Sequence, residues 1–203
     1  MCKPASMVLT REKVFWSKTS DSHEDIVAEF NLCDDDVHNV QIVRVEITPP
    51  DDTRFDALLE TWQYRVDQDI LPDWYDPADA EKRTRIALVR WCEHKVVREG
   101  CREVREGVLY ASSSARVDAS DNASVTASDN ASVYAFGSAS VTAYGSASVD
   151  AYGSASVTAY DSATITIRCG NPSIVLKSAQ SVCIDRRVSQ IVCHIGPFTI
   201  NPQ

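Results

Sequence analysis

The sequence predicts an α+β protein in which a small α/β N-terminal domain precedes a two-sided β-solenoid with sixteen residues per coil. Three observations carry this reading. An apolar residue recurs every eight positions without a slip, at Val117, Val125, Val133, Val141, Val149, Val157 and Ile165. Alanine stands two residues before each of them and two residues after six of the seven. This two-residue period is that of a strand with one buried face, and Asp-Asn or Gly-Ser in the remaining positions marks a turn. The residue after each inward position runs Asp118, Thr126, Tyr134, Thr142, Asp150, Thr158 and Thr166, so threonine returns at every second copy. Repeats that cannot bury their own apolar face must stack. A coil of two octads stacks Thr126, Thr142 and Thr158 in one column. A triangular coil of three octads would scramble the columns and need a bulkier interior than Ala and Val. About three and a half such coils are expected from the octads.

Upstream, the texture changes near Tyr110. Met7 to Trp16 reads as a strand or hairpin rich in apolar residues. Ser20, Asp21 or Ser22 caps a helix to about Asn31, with Glu24 three places after Asp21 and with Ile26, Val27 and Phe30 on one face. Asp34-Asp35-Asp36 is a turn. Val43, Val45 and Ile47 alternate as a second strand, which Pro49-Pro50 ends. Phe55 to Leu59 suggests a short helix, and Trp62, Tyr64 and Val66 a third strand. Asp76-Pro77 is a strong helix start with no breaker before Gly100. Along that helix Ile86, Val89, Trp91 or Cys92, and Val96 supply the expected apolar stripe. Its basic residues (Lys82, Arg83, Arg85, Arg90, Lys95, Arg98) read as a solvated face paired with Glu81, Glu93 and Glu99. The expected organisation is a capping domain at 1–110, the solenoid at 111–185 and a C-terminal capping segment at 186–203. The helix or the segment from Gly100 to Tyr110 is expected to cover the open first coil, because an uncovered coil is a pairing edge. After Ile165 the register shifts by one, to Ile174 and Val182, and Ile191 to Phe198 should close the far end.

The run from Ser138 to Tyr160, SASVTAYGSASVDAYGSASVTAY, resembles the Ala-Gly-Tyr-Gly-Ser-Thr-x-Thr octapeptides of bacterial ice-nucleation proteins. That resemblance implies sixteen-residue β-coils with a hydroxyl ladder and a tyrosine ladder. Here the hydroxyl ladder would be Ser124/Thr126, Ser140/Thr142 and Ser156/Thr158, with aromatics at Phe136, Tyr144, Tyr152 and Tyr160. Ala replaces the family's first Gly and Ser its first Thr. Met1-Cys2-Lys3, Ser20 to Leu32 (SDSHEDIVAEFNL) and Val66 to Asp76 (VDQDILPDWYD) look like bacterial and phage proteins in which a small α/β domain precedes short tandem repeats. That likeness implies a phage or mobile-element setting and brings no activity.

The chain has 203 residues, 44% of them hydrophobic, and a net charge of −9, which disfavours direct nucleic-acid binding because phosphate contacts need clustered Lys and Arg. No apolar run has the length of a membrane span and no signal-peptide core is visible, so a cytoplasmic protein is expected. Seven cysteines at irregular spacing, without a Cys-x-x-Cys pair, read as reduced thiols. Cys2 is the sharpest nucleophile candidate, as an N-terminal residue after removal of Met1. Cys92, Glu93 and His94 are adjacent on a helix and point apart. Asp21, His23, Glu24 and Asp25 have the composition of metal ligands but suit a helix cap. Ser120 to Asn122 and Ser128 to Asn130 recur at the repeat period and read as turns. No catalytic residue, metal ligand or cofactor is therefore assigned.

The expected function is a non-enzymatic protein-interaction or self-assembly module, with an inhibitory phage or mobile-element role as one specialisation. The expected partner is another protein or a second copy of the chain. The candidate surface is Phe136, Tyr144, Tyr152, Tyr160 and Tyr134, since rigidly held aromatics are frequent anchors. Three alternatives stand beside it. Asp118, Asp121, Asp129, Asp150 and Asp161 would mimic DNA phosphates if regularly spaced. The Ser-Val-Thr face would bind ice or ordered water. A cleft near Trp62, Asp73, Trp74 and Tyr75 would make the N-terminal domain a ligand binder or an enzyme.

Overall fold

The computed structural model describes residues 4–33, 40–51, 55–187 and 191–201. The chain forms two compact units, Met1–Lys95 and Val96–Gln203, so the division falls upstream of the change in texture near Tyr110. Asp34-Asp35-Asp36 and Cys2 lie outside the described residues. No described helix is long and apolar enough to cross a membrane.

In the first unit, β1 (Ser6–Leu9) and β2 (Val14–Phe15) form the expected hairpin. With β3 (Val43–Thr48) and β4 (Gln63–Val66) they make an antiparallel sheet in the order β2-β1-β3-β4. Helix α1 (His23–Glu29) starts at Ser22, whose hydroxyl accepts the Asp25 N–H, and buries Ile26 against Val8 and Ile42. The short helix expected over Phe55 to Leu59 is replaced by a turn and a single 3₁₀ turn at Leu59–Thr61. Phe55 is instead drawn into the core, where its ring meets Trp62 edge-on at 5.9 Å.

Helix α2 (Pro77–Lys95) begins as expected, the Asp76 carboxylate accepting the Asp79 N–H at 3.0 Å. Its buried face keeps Trp91 and Cys92 of the expected stripe but not Ile86 and Val89. Ala80, Thr84, Leu88, Trp91, Cys92 and Lys95 are buried, while Ile86 and Val89 are 61% and 45% exposed. Two groups select this rotation. Trp91 packs edge-on to Trp62 at 6.2 Å, and the Lys95 ammonium donates at 2.7 Å to both the Asp21 carboxylate and the Ser20 carbonyl. Burial pulls the Lys95 pKa down and Asp21 opposes that shift. The basic residues are held by the protein itself: Arg83 pairs with Asp79 at 2.9 Å and Arg85 with Glu81 at 2.7 Å.

The second unit is a β-solenoid of about six turns over residues 96 to 185, with about sixteen residues per coil. This exceeds the expected three and a half. One face stacks part of β6 (Cys101–Ala111), the first half of β7 (Arg116–Ala127), β8 (Ser132–Ala135), β10 (Ser148–Ala151), β12 (Thr164–Ile167) and β14 (Val182–Asp185), in parallel. The other stacks β5 (Val96–Val97), the rest of β6 and β7, β9 (Ser140–Ala143), β11 (Ser156–Ala159) and β13 (Ser173–Leu176). The segment from Gly100 to Tyr110, expected as a linker over the first coil, is thus mostly strand and part of the coils themselves. Inward positions need only be apolar at a period of two, so Val97, Leu109 and Ala111 continue the core without the octad's turns.

Every inward Ala, Val and Ile of the octads is buried. Beyond the octads Ser156 pairs with Ser173 and Thr164 with Val182, one and two residues past the sixteen-residue step. The inward residue that follows Ile165 is therefore Cys183; Val182 turns outward. Burial pushes the Cys183 thiol up to about 12. Asp185 then occupies the inward column of Ile167, held by Arg187 at 2.6 Å. The last rungs, β15 (Val192–Ile195) and β16 (Phe198–Ile200), run antiparallel to β14 and β13 and end the two faces.

From Ser113 to Gly170 each turn contains one left-handed residue. Asp121, Gly137, Gly153 and Gly170 occupy this conformation on one edge, and Ser113, Asp129, Gly145 and Asp161 on the other. Gly170 also lies so close to Gly153 that a Cβ would overlap its backbone, whereas at Gly145 the nearest atom would be 3.1 Å away. Gly170→Ala should lower unfolding free energy by more than about 2 kcal/mol, from the left-handed cost and the overlap together. Gly145→Asn should cost under about 1 kcal/mol, because Asn tolerates that conformation. Urea midpoints for the two variants check the contrast. In α2, Asp21→Asn leaves the Lys95 ammonium buried without its counter-charge and should cost about 3 kcal/mol. Adding Lys95→Met should recover much of that loss in the same measurement.

Candidate interaction surface

Parallel stacking in register converts each octad position into a straight column. On one face Ser124, Ser140 and Ser156 are aligned, as are Thr126, Thr142 and Thr158. The serines are exposed and the threonines half-buried. The rungs repeat at the strand spacing of about 4.8 Å. This is the expected hydroxyl ladder, in the expected column order.

The opposite face carries charge. Asp118, Tyr134, Asp150 and Thr166 form its outer column. The Arg116 guanidinium lies 4.2 Å from the Tyr134 ring centroid, a cation–π contact that already covers part of this ring. Arg168 reaches back to Asp150 at 2.9 Å. Tyr134 therefore stands on a broad face, apart from the other four aromatics.

Those four occupy the two turn edges as stacked pairs. Phe136 and Tyr152 lie 4.6 Å apart at 20°, and Tyr144 and Tyr160 lie 4.9 Å apart at 9°. Their backbones fix them. The N–H of each of these four residues donates at 2.8 Å to the inward alanine one coil earlier: Ala119, Ala127, Ala135 and Ala143. Equivalent bonds to the previous coil are made by Arg168 and Arg186 on one edge and by Ser112, Ser128 and Lys177 on the other, so the edges run Phe136, Tyr152, Arg168, Arg186 and Ser112, Ser128, Tyr144, Tyr160, Lys177. Each aromatic pair is thus followed by a basic residue. Phe136 remains 39% exposed and the three tyrosines are half-buried.

The five aspartates proposed to mimic phosphates form no common row. Asp118 and Asp150 lie on the charged face, Asp121 on one edge, and Asp129 and Asp161 on the other. Asp129 accepts the Ser113 N–H and Asp161 the Gly145 N–H, so these side chains tie one coil to the one before it. These two serve the turns, and the five aspartates are divided among three surfaces of the solenoid.

In the first unit the acidic cluster at α1 divides. Ser20 donates to Asp25 at 2.6 Å, Ser22 to Glu24 at 3.0 Å, and Asp21 holds Lys95. Hydrogen bonds at the helix start keep the Glu24 carboxyl below its ordinary value. His23 and Asp21 turn into the protein, His23 being 1% exposed. Cys92 is buried while Glu93 and His94 are exposed, so no nucleophile and base meet there. Trp62 is a core residue between Phe55 and Trp91 rather than a cleft wall. Tyr75 shares a 3.4 Å hydroxyl contact with Tyr64, whose pKa burial raises.

Three features escaped sequence reasoning: the Arg116–Tyr134 contact, the Arg168–Asp150 pair and the surroundings of His23. The first two join residues 18 apart, a separation that the octad does not mark, and His23 lies outside the repeat. Compared with family models, curated proteins and solved structures, the chain matches none, so its architecture stands on its own geometry.

Proposed function

We propose that the chain is a non-enzymatic interaction module that self-associates through the aromatic edges of its solenoid. The observation that carries this reading is the pair of stacked aromatic columns held on backbone hydrogen bonds at 2.8 Å. Rings fixed in this way lose little freedom on binding, and aromatics so placed are common anchors. Ser128 precedes Tyr144 in its column, so the aromatic pair is flanked there by a small polar residue. A two-fold axis would set each edge against its own copy, which suits a surface with the same chemistry on both partners. A protein partner of foreign sequence, including an inhibitory target in a phage setting, would use the same edges.

A second reading is supported by the hydroxyl ladder, three Ser-x-Thr rungs in strict register. A row of hydroxyls at strand spacing can order water or meet an ice plane. The patch is small, and this reading ranks below the first.

Sedimentation equilibrium over a range of micromolar concentrations separates them. Wild type should form a dimer or larger oligomer, and Tyr144→Ser with Tyr160→Ser should shift it toward monomer by at least about tenfold in dissociation constant. A wild-type monomer, or an oligomer indifferent to those changes, rejects the aromatic interface. Thermal hysteresis measured on wild type and on Thr142→Lys tests the ladder: activity in wild type lost in the variant would favour the second reading.

A further inference from the structure

We propose that His23, Glu46 and Asp67 form a divalent metal site in the first unit, with Arg65 holding the cation's place until metal arrives. The three residues come from α1, β3 and the residue following β4, and one ligand atom of each lies within 4.8 Å of the others. His23 and Glu46 are 1% exposed, and Asp67, at 36%, opens the cluster to solvent.

The histidine's tautomer directs the argument. Its Nε2 lies 3.0 Å from the Val45 carbonyl oxygen, which can only accept, so Nε2 carries the proton. Nδ1 lies 3.5 Å from Asp67 Oδ2 and is the ring nitrogen left to face the two carboxylates. A cation between Nδ1 and the carboxylate oxygens, whether a metal ion or a proton, satisfies them together. Donation of the second ring N–H to a backbone carbonyl is the usual way a protein orients a metal-binding histidine. Arg65 shows that the cluster already attracts positive charge: its Nη2 lies 2.6 Å from Glu46 Oε2 and 3.1 Å from Asp67 Oδ1. The Arg65 side chain is 63% exposed and can turn out into water without disturbing the core.

One imidazole nitrogen and two carboxylates, with solvent able to complete the shell, suit Zn²⁺ among common divalent ions, and Mn²⁺ less well. Metal–ligand bonds of about 2.0–2.2 Å require the donors to draw together, which side-chain rotation supplies. A divalent ion would sit between the two carboxylates and the imidazole nitrogen, in reach of one ligand atom from each.

The probe is Zn²⁺ added to the full chain by calorimetric titration, with the exposed thiols of Cys33, Cys101, Cys169 and Cys193 capped by iodoacetamide. The titration is run at about pH 8, because metal and protons compete for the same ligand atoms. Wild type should take up one equivalent. Arg65→Gln, which removes the resident cation, should bind at least about tenfold more tightly, and Asp67→Asn at least about tenfold more weakly. His23→Gln should abolish uptake; because His23 is buried, circular dichroism establishes that this variant folds, and Asp67→Asn carries the test if it does not. Absence of uptake by both wild type and Arg65→Gln overturns the proposal, as does uptake indifferent to Asp67→Asn, and either outcome makes Arg65 the permanent counter-ion.

Discussion

The interaction on which the rest of the second unit depends is the backbone hydrogen bond from the first turn residue to the inward alanine carbonyl one coil earlier. It recurs at 2.8–2.9 Å from Ser128 to Tyr160, and Ser112 makes the same bond to Val97. It works only if the chain reverses in the same few residues at every edge, and from Ser113 to Gly170 one left-handed residue makes each reversal. Asp, Ser and Gly share that position because each reaches the conformation at low cost. Where the residue is Asp129 or Asp161, its carboxylate adds a second bond to the neighbouring coil. The composition of the turns is thus a consequence of stacking, and the outward columns inherit their straightness from it.

The octads were legible because period, turn chemistry and column order all agree, and the two-sided coil with sixteen residues follows from them. The additional coils were not. Before Ser112 and after Ile167 the chain keeps only the inward requirement, met by Leu109, Ile174, Leu176 and Cys183, while its outward residues vary freely. The shift to Cys183 has the same origin. A longer turn at Cys169 to Pro172 slips the register by one and the next turn by another, and a sequence carries no marker for how many residues a turn absorbs.

The rotation of α2 shows a different limit. Ile86 and Val89 fit an apolar stripe as well as Leu88 and Trp91 do. The choice rests on Trp62 and Asp21, which lie far away in sequence. A tryptophan brings more apolar area than an isoleucine, and a lysine with a buried carboxylate partner becomes an inward residue. The surroundings of His23 were hidden for the same reason: its acidic neighbours in sequence serve as caps, and its acidic neighbours in space are Glu46 and Asp67. Local pattern identifies elements; partners distant in sequence decide which side faces in.

The aromatic edges illustrate what a rigid repeat does to recognition. Stacking at 4.6 and 4.9 Å spends one face of each ring on its neighbour, so a pair offers ring edges and outer faces rather than two free rings. That reduces the area available to a partner, but it also removes the rotamer entropy that free side chains would lose on binding, about 0.5–1.5 kcal/mol for each. The base following each pair, Arg168 or Lys177, stands one coil from a tyrosine along the same edge. Arg168 is held by Asp150, whereas the opposite edge ends in Lys177, so the two edges are alike in their rings and unlike in charge. A symmetric dimer built on the Tyr144–Tyr160 edge would bring two lysines toward each other unless the copies run antiparallel. In the antiparallel arrangement each Lys177 is carried toward the Asp129 end of its partner's edge, so both the charges and the rings favour the same two-fold axis.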